Sequence, residues 1–228
     1  MLPRVIIHNA ISADGRIDWL TFDLGLFYGL VSRWNEDATL CGSNTLLKGF
    51  EELVGDKEDP NEAQEEIAPN PPDPNDKRPL LVVPDSGGRV RIWRSVLKQP
   101  YWREAILLCS EKTPKEYLDY LDEIKINYIQ AGKERVDFKA ALERLYEEYG
   151  IKTIRLDSGG TLNGVLLRKG LVDEVSLLIN PSLVGGTSPG SFFRASDLTG
   201  YEGVIKLKLL SMEKVTDDIV WLIYRVIK

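Results

Sequence analysis

Leu156-Asp157-Ser158-Gly159-Gly160-Thr161-Leu162-Asn163-Gly164 is the stretch on which the fold turns. Ahead of it, Ile151–Leu156 reads as a strand; behind it, Thr161–Lys169 reads as a short helix that Gly170 stops. Val172–Asn180 follows as a second strand, with the apolar run Val175–Ile179. Upstream, Asp137 is placed to cap a helix whose apolar stripe is Phe138, Ala141, Leu142, Leu145, Tyr146 and Tyr149, and Gly150 supplies its left-handed stop. Helix, strand, helix, strand in this rhythm predicts an α/β chain with a mainly parallel sheet flanked by helices. The tail differs: Val204–Val215 and Ile219–Ile227, joined by Thr216-Asp217-Asp218, read as an antiparallel hairpin added to that sheet.

Working back toward the N-terminus, Arg4–Ala10 reads as a buried strand and Phe22–Trp34 as a helix with apolar residues at helical spacing. Ala38–Gly42, Leu80–Pro84, Ala105–Cys109 and Ile124–Ile129 are strand-like, and Thr113–Leu121 is helical with Pro114 in its first turn. Between these, Glu51 to Arg78 holds ten acidic and three basic residues and five of the twelve prolines. Such a segment buries too little apolar surface to offset its ordering entropy, so 51–78 is expected to be a mobile acidic loop inserted in one domain spanning 1–228, with at most a short helix near Pro60–Ile67.

The formal net charge is −6, and that loop alone carries −7, leaving the rest near neutral. A polyanion is a poor nucleic-acid partner, since phosphate neutralisation drives that affinity. No apolar run approaches the roughly 20 residues of a spanning helix, and the N-terminus lacks a signal-peptide pattern, so neither a membrane nor export is expected. Cys41 and Cys109 sit isolated in apolar runs, which predicts two buried thiols in a reducing, cytoplasmic setting.

Several chemistries drop out by composition. His8 is the sole histidine, sits in the first strand, and reads as a hydrogen-bonded core or cleft-edge side chain rather than a catalytic base. One histidine and two separated cysteines make no zinc cluster, so no metal is expected. The deaminase pattern H-x-E with P-C-x-x-C is absent, as are the G-x-G-x-x-G and Walker-type phosphate loops.

The turn at 157–162 remains. Glycines that let a backbone approach closely, followed by a helix N-terminus, make a phosphate site; a plain tight turn fits the same residues equally well. Asp157 at a strand end is costly to bury without a partner or a task, although N-capping of the next helix is also open to it. Three further segments share the strand-end, small-residue character: Asn9–Ile17, which contains Ser12, Asp14 and Arg16; Gly42-Ser43-Asn44-Thr45; and Gly185–Gly190. A surface turn or a helix cap is the alternative for each.

Taken in order, PRVIIHNAISADGRI, CGSNTLL and LDSGGTLNGVLLRKGLVDEVSLLINPSLVGG resemble the reductase domain of riboflavin biosynthesis, the RibD C-terminal family. That family has a dihydrofolate-reductase-like fold and includes the stand-alone archaeal and fungal 2,5-diamino-6-ribosylamino-4(3H)-pyrimidinone 5′-phosphate reductases. The missing deaminase pattern matches the stand-alone form. The resemblance implies NADPH as cofactor, a phosphorylated small-molecule substrate and a homodimer. Carried over by position, it implies that Thr45, with Gly42 before it, contacts NADPH, and that Ser158, Gly159, Gly160, Thr161 and Leu162 hold the cofactor phosphates. Ala10 is then expected on the nicotinamide side, with Asp14 beside the cofactor. Asn9, Ser12, Arg16 and Asp157 are expected at the substrate, with Arg16 and Asp157 as the catalytic pair and Asp157 where the family usually has glutamate. One departure is plain: the family follows T-V-L with x-D-D-P-x-L-T, whereas Gly49-Phe50-Glu51-Glu52 stands here. This leaves a reductase of another pterin or pyrimidine, or a nucleotide-binding protein without chemistry, as alternatives.

Overall fold

A computed structural model describes residues 1–54 and 76–228. They form two compact units: a terminal unit of Pro3–Glu36 and Lys152–Lys228, and a unit central in sequence, Asp37–Ile151 with Met1–Leu2.

In the terminal unit the strands are β1 (Arg4–Ser12), β6 (Thr153–Leu156), β7 (Glu174–Asn180), β8 (Leu207–Lys214) and β9 (Val220–Val226), in the order β6-β1-β7-β9-β8. β1 runs parallel to β6 and β7, while β9 pairs antiparallel with β7 and with β8. The expected parallel sheet and C-terminal hairpin are both present. Helices α1 (Leu24–Val31) and α6 (Gly160–Arg168) complete the unit. Its core gathers Ile6, Ala10, Phe27, Trp34, Leu178, Trp221 and Ile223.

His8 lies buried against this core. Its ring stacks on Phe27 with centroids 4.3 Å apart. Trp221 Nε1–H can only donate, and it does so to Ser176 Oγ at 2.7 Å. The Ser176 hydroxyl therefore donates to His8 Nδ1 (2.9 Å), and His8 Nε2–H donates to the Phe27 carbonyl (3.2 Å). Burial is the main cause that lowers the imidazole pKa to about 4, so the neutral ring of a core histidine is what the fold uses.

In the central unit β2 (Ala38–Leu40), β3 (Leu80–Pro84), β4 (Ala105–Cys109) and β5 (Asn127–Gln130) form a parallel run in that order. With them go α2 (Ser43–Val54), α3 (Trp93–Leu97), α4 (Lys115–Glu123) and α5 (Phe138–Tyr149). Trp93, Tyr117, Leu107 and Leu121 are fully buried in the core of this unit, each worth about 1.5–3 kcal/mol of apolar transfer. Asp137 Oδ1 accepts from the Lys139 and Ala140 amides, and Gly150 closes α5 at φ +67°, the two signals the sequence carries. Cys41 and Cys109 are both buried and neither is in a disulfide, and burial pushes the Cys109 thiol up to about 12.

Some boundaries move for physical reasons. β1 extends to Ser12 because Ile11 and Ser12 pair with Ile179 and Asn180, so Ser12 lies in the strand rather than after it. α1 is shorter than 22–34, since Asp23 caps it by accepting from the Leu26 amide. Pro114 is the cap of α4 and not a first-turn residue. The strand expected at 124–129 begins only at Asn127, because Ile124 ends α4 and Lys125 turns through φ +57°. α2 continues through Val54, so the acidic segment starts as helix; the loop expected beyond it and the helix near Pro60–Ile67 lie outside the described residues across 55–75. Where description resumes, Arg78 lies on Asp76, with Nη2 to Oδ2 at 2.6 Å.

Candidate active site

β6 ends at Leu156, and the chain crosses Asp157 and Ser158 to Gly159, the N-cap of α6. The N-cap residue is a glycine and makes no side-chain cap hydrogen bond. The amides of Gly160, Thr161 and Leu162 have no carbonyl four residues back within the helix, and they stand at the positive end of its dipole. Thr161 is exposed and Leu162 half-buried, while Gly160 is buried. This donor set fits an anionic phosphate.

The glycines have a more specific explanation than ligand approach. A Cβ on Gly160 would stand 1.9 Å from the Ser191 carbonyl oxygen, and one on Gly164 would stand 1.8 Å from that of Arg194. The 191–195 segment therefore packs directly on α6, and the Arg194 amide donates to the Gly160 carbonyl (3.0 Å). Asn163, fully buried, fixes the other side: its Nδ2 donates to Asn9 Oδ1 (2.8 Å) and the Phe192 carbonyl (2.7 Å). Asn9 Nδ2 in turn donates to the Ser158 carbonyl (3.0 Å). The turn is thus held from both flanks by buried amide side chains.

Asp157 does not cap α6. Its Oδ2 accepts from Arg155 Nη1 at 2.8 Å and from the Tyr28 hydroxyl at 3.3 Å, while among the described residues nothing donates to its Oδ1. Its side chain is 23% exposed, against 5% for Arg155. The strand end therefore presents one tethered carboxylate oxygen and one open one.

Ser12, Asp14 and Arg16 form a clamp on the loop after β7. Asp14 accepts from Ser12 Oγ (2.5 Å), the Val184 amide (3.1 Å) and the Gly185 amide (2.7 Å). The Ser12 hydroxyl above all, then those two amides, hold its carboxyl down to about 2. Arg16 donates from Nη1 to the Pro189 carbonyl (3.0 Å) and from Nη2 to that of Gly186 (2.5 Å); its Nε is buried without a hydrogen-bond partner. Asn9 and Ser12, expected at substrate, are buried on partners within the chain, and Ala10 has its side chain in the core. Two of the four small-residue segments, 9–17 and 185–190, thus lock one another beside the turn.

Gly42 and Thr45 lie in the central unit, half-buried at the start of α2, where the Leu46 amide donates to the Gly42 carbonyl (2.9 Å). Arg89 joins them there, donating to Ser43 Oγ and Asn44 Oδ1 at 2.9 Å each. Its loop is pinned by buried Asp85, whose Oδ2 accepts from the Arg89 and Val90 amides. Arg89, Asn163, Tyr28, Glu36 and Arg155 were not singled out from sequence. Arg155 left a signal, a charge between two apolar residues of a buried strand; the others left none.

Residues 3–221 match the model of the RibD C-terminal domain family. The 2,5-diamino-6-ribosylamino-4(3H)-pyrimidinone 5′-phosphate reductase of Methanothermobacter thermautotrophicus is 30% identical over 96% of this chain and 97% of its own length. The protein of the same name from Aquifex aeolicus is 35% identical over 59% of this chain; the match spans only 56% of that protein. Among solved structures, a pyrimidine reductase-like protein from Corynebacterium diphtheriae superposes with a TM-score of 0.74 over 99% of this chain and 92% of its own, at 17% identity, a likeness of fold. The chain belongs to the RibD C-terminal domain family.

Proposed function

We propose that the chain is an NADPH-dependent reductase that converts the ribosyl side chain of 2,5-diamino-6-ribosylamino-4(3H)-pyrimidinone 5′-phosphate to the ribityl form. The observation that carries this reading is the pairing of Asp157, with its open Oδ1, and the N-terminus of α6, a helix whose N-cap is a glycine, only three residues on. A site for an anion and a carboxylate suited to a developing cation are adjacent in one turn.

The helix-start amides and the Thr161 hydroxyl suit the diphosphate of a dinucleotide; Gly42 and Thr45 are assigned to the cofactor by the family resemblance alone. Bound there, NADPH supplies the hydride that reduces C1′. Holding the reacting carbon at near-attack distance is the protein's largest task, worth about 7–11 kcal/mol of barrier. Asp157 faces the cation that forms when the ribosylamine ring opens, and its carboxylate stabilises that charge and shuttles the ring-opening proton. Ser12, Asp14 and Arg16 act through the 184–190 loop that they hold, and Asn9 acts through the Ser158 carbonyl. The substrate phosphate is assigned to this loop region, with Arg16 as the cation that the family resemblance proposes for it.

A homodimer is part of the same reading. β8 is the edge strand of its sheet and leaves Leu207, Leu209 and Met212 exposed, a face that invites a second copy. A cytoplasmic setting is supported by the two buried thiols, neither of them in a disulfide. No helix among the described residues is long and apolar enough to cross a membrane.

Oxidation of NADPH followed at 340 nm tests the reading, first with the diaminopyrimidine ribosyl phosphate and then with dihydrofolate. Turnover of the first is expected. Turnover of dihydrofolate alone would reassign the substrate, and cofactor uptake without turnover of either would make this a nucleotide-binding protein.

A further inference from the structure

Arg155 is the only charged residue of β6, and its side chain is 5% exposed. A buried guanidinium persists only where carboxylates and hydrogen bonds replace its water. Here Nε donates to Glu36 Oε1 at 2.9 Å and Nη1 to Asp157 Oδ2 at 2.8 Å, while the guanidinium lies 5.6 Å from the centroid of the Tyr28 ring. Burial works against its charge, but the two carboxylates, Asp157 first, hold its pKa above the ordinary arginine value.

Two carboxylates against one guanidinium leave a formal charge of −1. Glu36 is 9% exposed and Asp157 23%, so the surplus sits on the one member that meets solvent. Arg155 and the Tyr28 hydroxyl also settle which Asp157 oxygen is tethered and which is open. A simple ion pair tying Pro3–Glu36 to Lys152–Lys228 would need Glu36 and Arg155 alone.

We propose that Arg155 is the positioning residue for Asp157: anchored on Glu36 and lying over Tyr28, it fixes the open carboxylate oxygen at the strand end and so sets turnover without touching substrate or cofactor. This rests on the role given to Asp157 above. Lysine at 155 keeps the charge but loses the planar fork that reaches both carboxylates.

The test uses the full chain with Arg155→Lys, Arg155→Met, Asp157→Asn and the Arg155→Met/Asp157→Asn pair, measuring kcat, the KM for each substrate and a crystal structure of Arg155→Lys. Arg155→Met is expected to lower kcat at least about tenfold with the KM for NADPH within about twofold, and to add nothing in the Asp157→Asn background. Losses that multiply in the double variant would overturn the proposal, because a structural role acts independently of the carboxylate. Should Arg155→Met fail to fold, Arg155→Lys decides: a reduced kcat with a displaced Asp157 carboxylate is expected, and wild-type kcat with Asp157 in place refutes it. If the wild type itself reduces neither substrate, the functional reading falls. The positioning claim is then judged by the Arg155→Lys crystal alone, where an unmoved carboxylate refutes it and a displaced one upholds it.

Discussion

Two side chains give the sharpest expectations at the scale of the residue. Asp157→Ala removes the open carboxylate oxygen but none of the amides of 160–162, so turnover is expected to fall by about a hundredfold or more while NADPH affinity stays nearly unchanged. Steady-state rates set beside calorimetric binding check this; an unchanged rate removes Asp157 from the mechanism. His8 makes a claim about stability. Its folded pKa of about 4 lies below the ordinary imidazole value of 6.5, so the unfolded chain takes up a proton first as pH falls. The contribution of the neutral ring is complete above pH 6.5 and is lost as pH falls toward 4, a difference of about 3 kcal/mol. Urea unfolding at pH 7 and pH 4.5 should show this slope for the wild type and a shallower one for His8→Phe. Sequence exposed these two residues unequally. His8 was legible because a lone histidine inside an apolar strand has few other places to go. Asp157 was legible as a carboxylate at a strand end, yet its partners were not, since Tyr28 lies 129 positions away in sequence.

Elements defined by local chemistry are the ones that sequence reads well. α5 carries its own start and stop, Asp137 and Gly150, and both act as the spacing implies. The turn into α6 is a harder case. Its glycines announce close approach, but what approaches is the chain itself, the carbonyls of Ser191 and Arg194 about 30 residues on. Nothing local distinguishes that from a ligand. Likewise the last two residues of β1 are strand only because β7 offers them partners. Gly164→Ala tests the α6 contact, because two effects oppose each other there. Alanine gains about 1 kcal/mol of helix propensity over glycine. Its methyl would meet the backbone oxygen of Arg194 at 1.8 Å, so the 191–195 segment must shift, and overpacking of this kind costs about 1–3 kcal/mol or more. The clash wins: Gly164→Ala is expected to lower the melting temperature and Gly29→Ala in α1, where a Cβ meets nothing within 4 Å, to raise it slightly.

At the level of the whole molecule, the charge is concentrated: −7 in 51–78, and near neutrality elsewhere. Removing that segment from the electrostatic sum is what makes an anionic ligand compatible with an acidic protein, a point composition alone revealed. The terminal unit depends on both ends of the chain, since Ile6 pairs with Arg155 in the sheet register. Topology of this kind was legible as a parallel rhythm but not as two compact units, because contacts at such separation leave no periodicity in sequence. The proposed dimer is also a whole-molecule claim: Met212→Lys on the exposed edge strand is expected to shift the chain from dimer to monomer in sedimentation velocity, and a wild type that sediments as a monomer would contradict it. The central claim, that the turn after β6 holds the cofactor phosphates, is met most directly by a crystal soaked with NADPH. The expected result is diphosphate oxygens within hydrogen-bond distance of the Thr161 and Leu162 amides; a cofactor bound with its diphosphate away from α6 would contradict it.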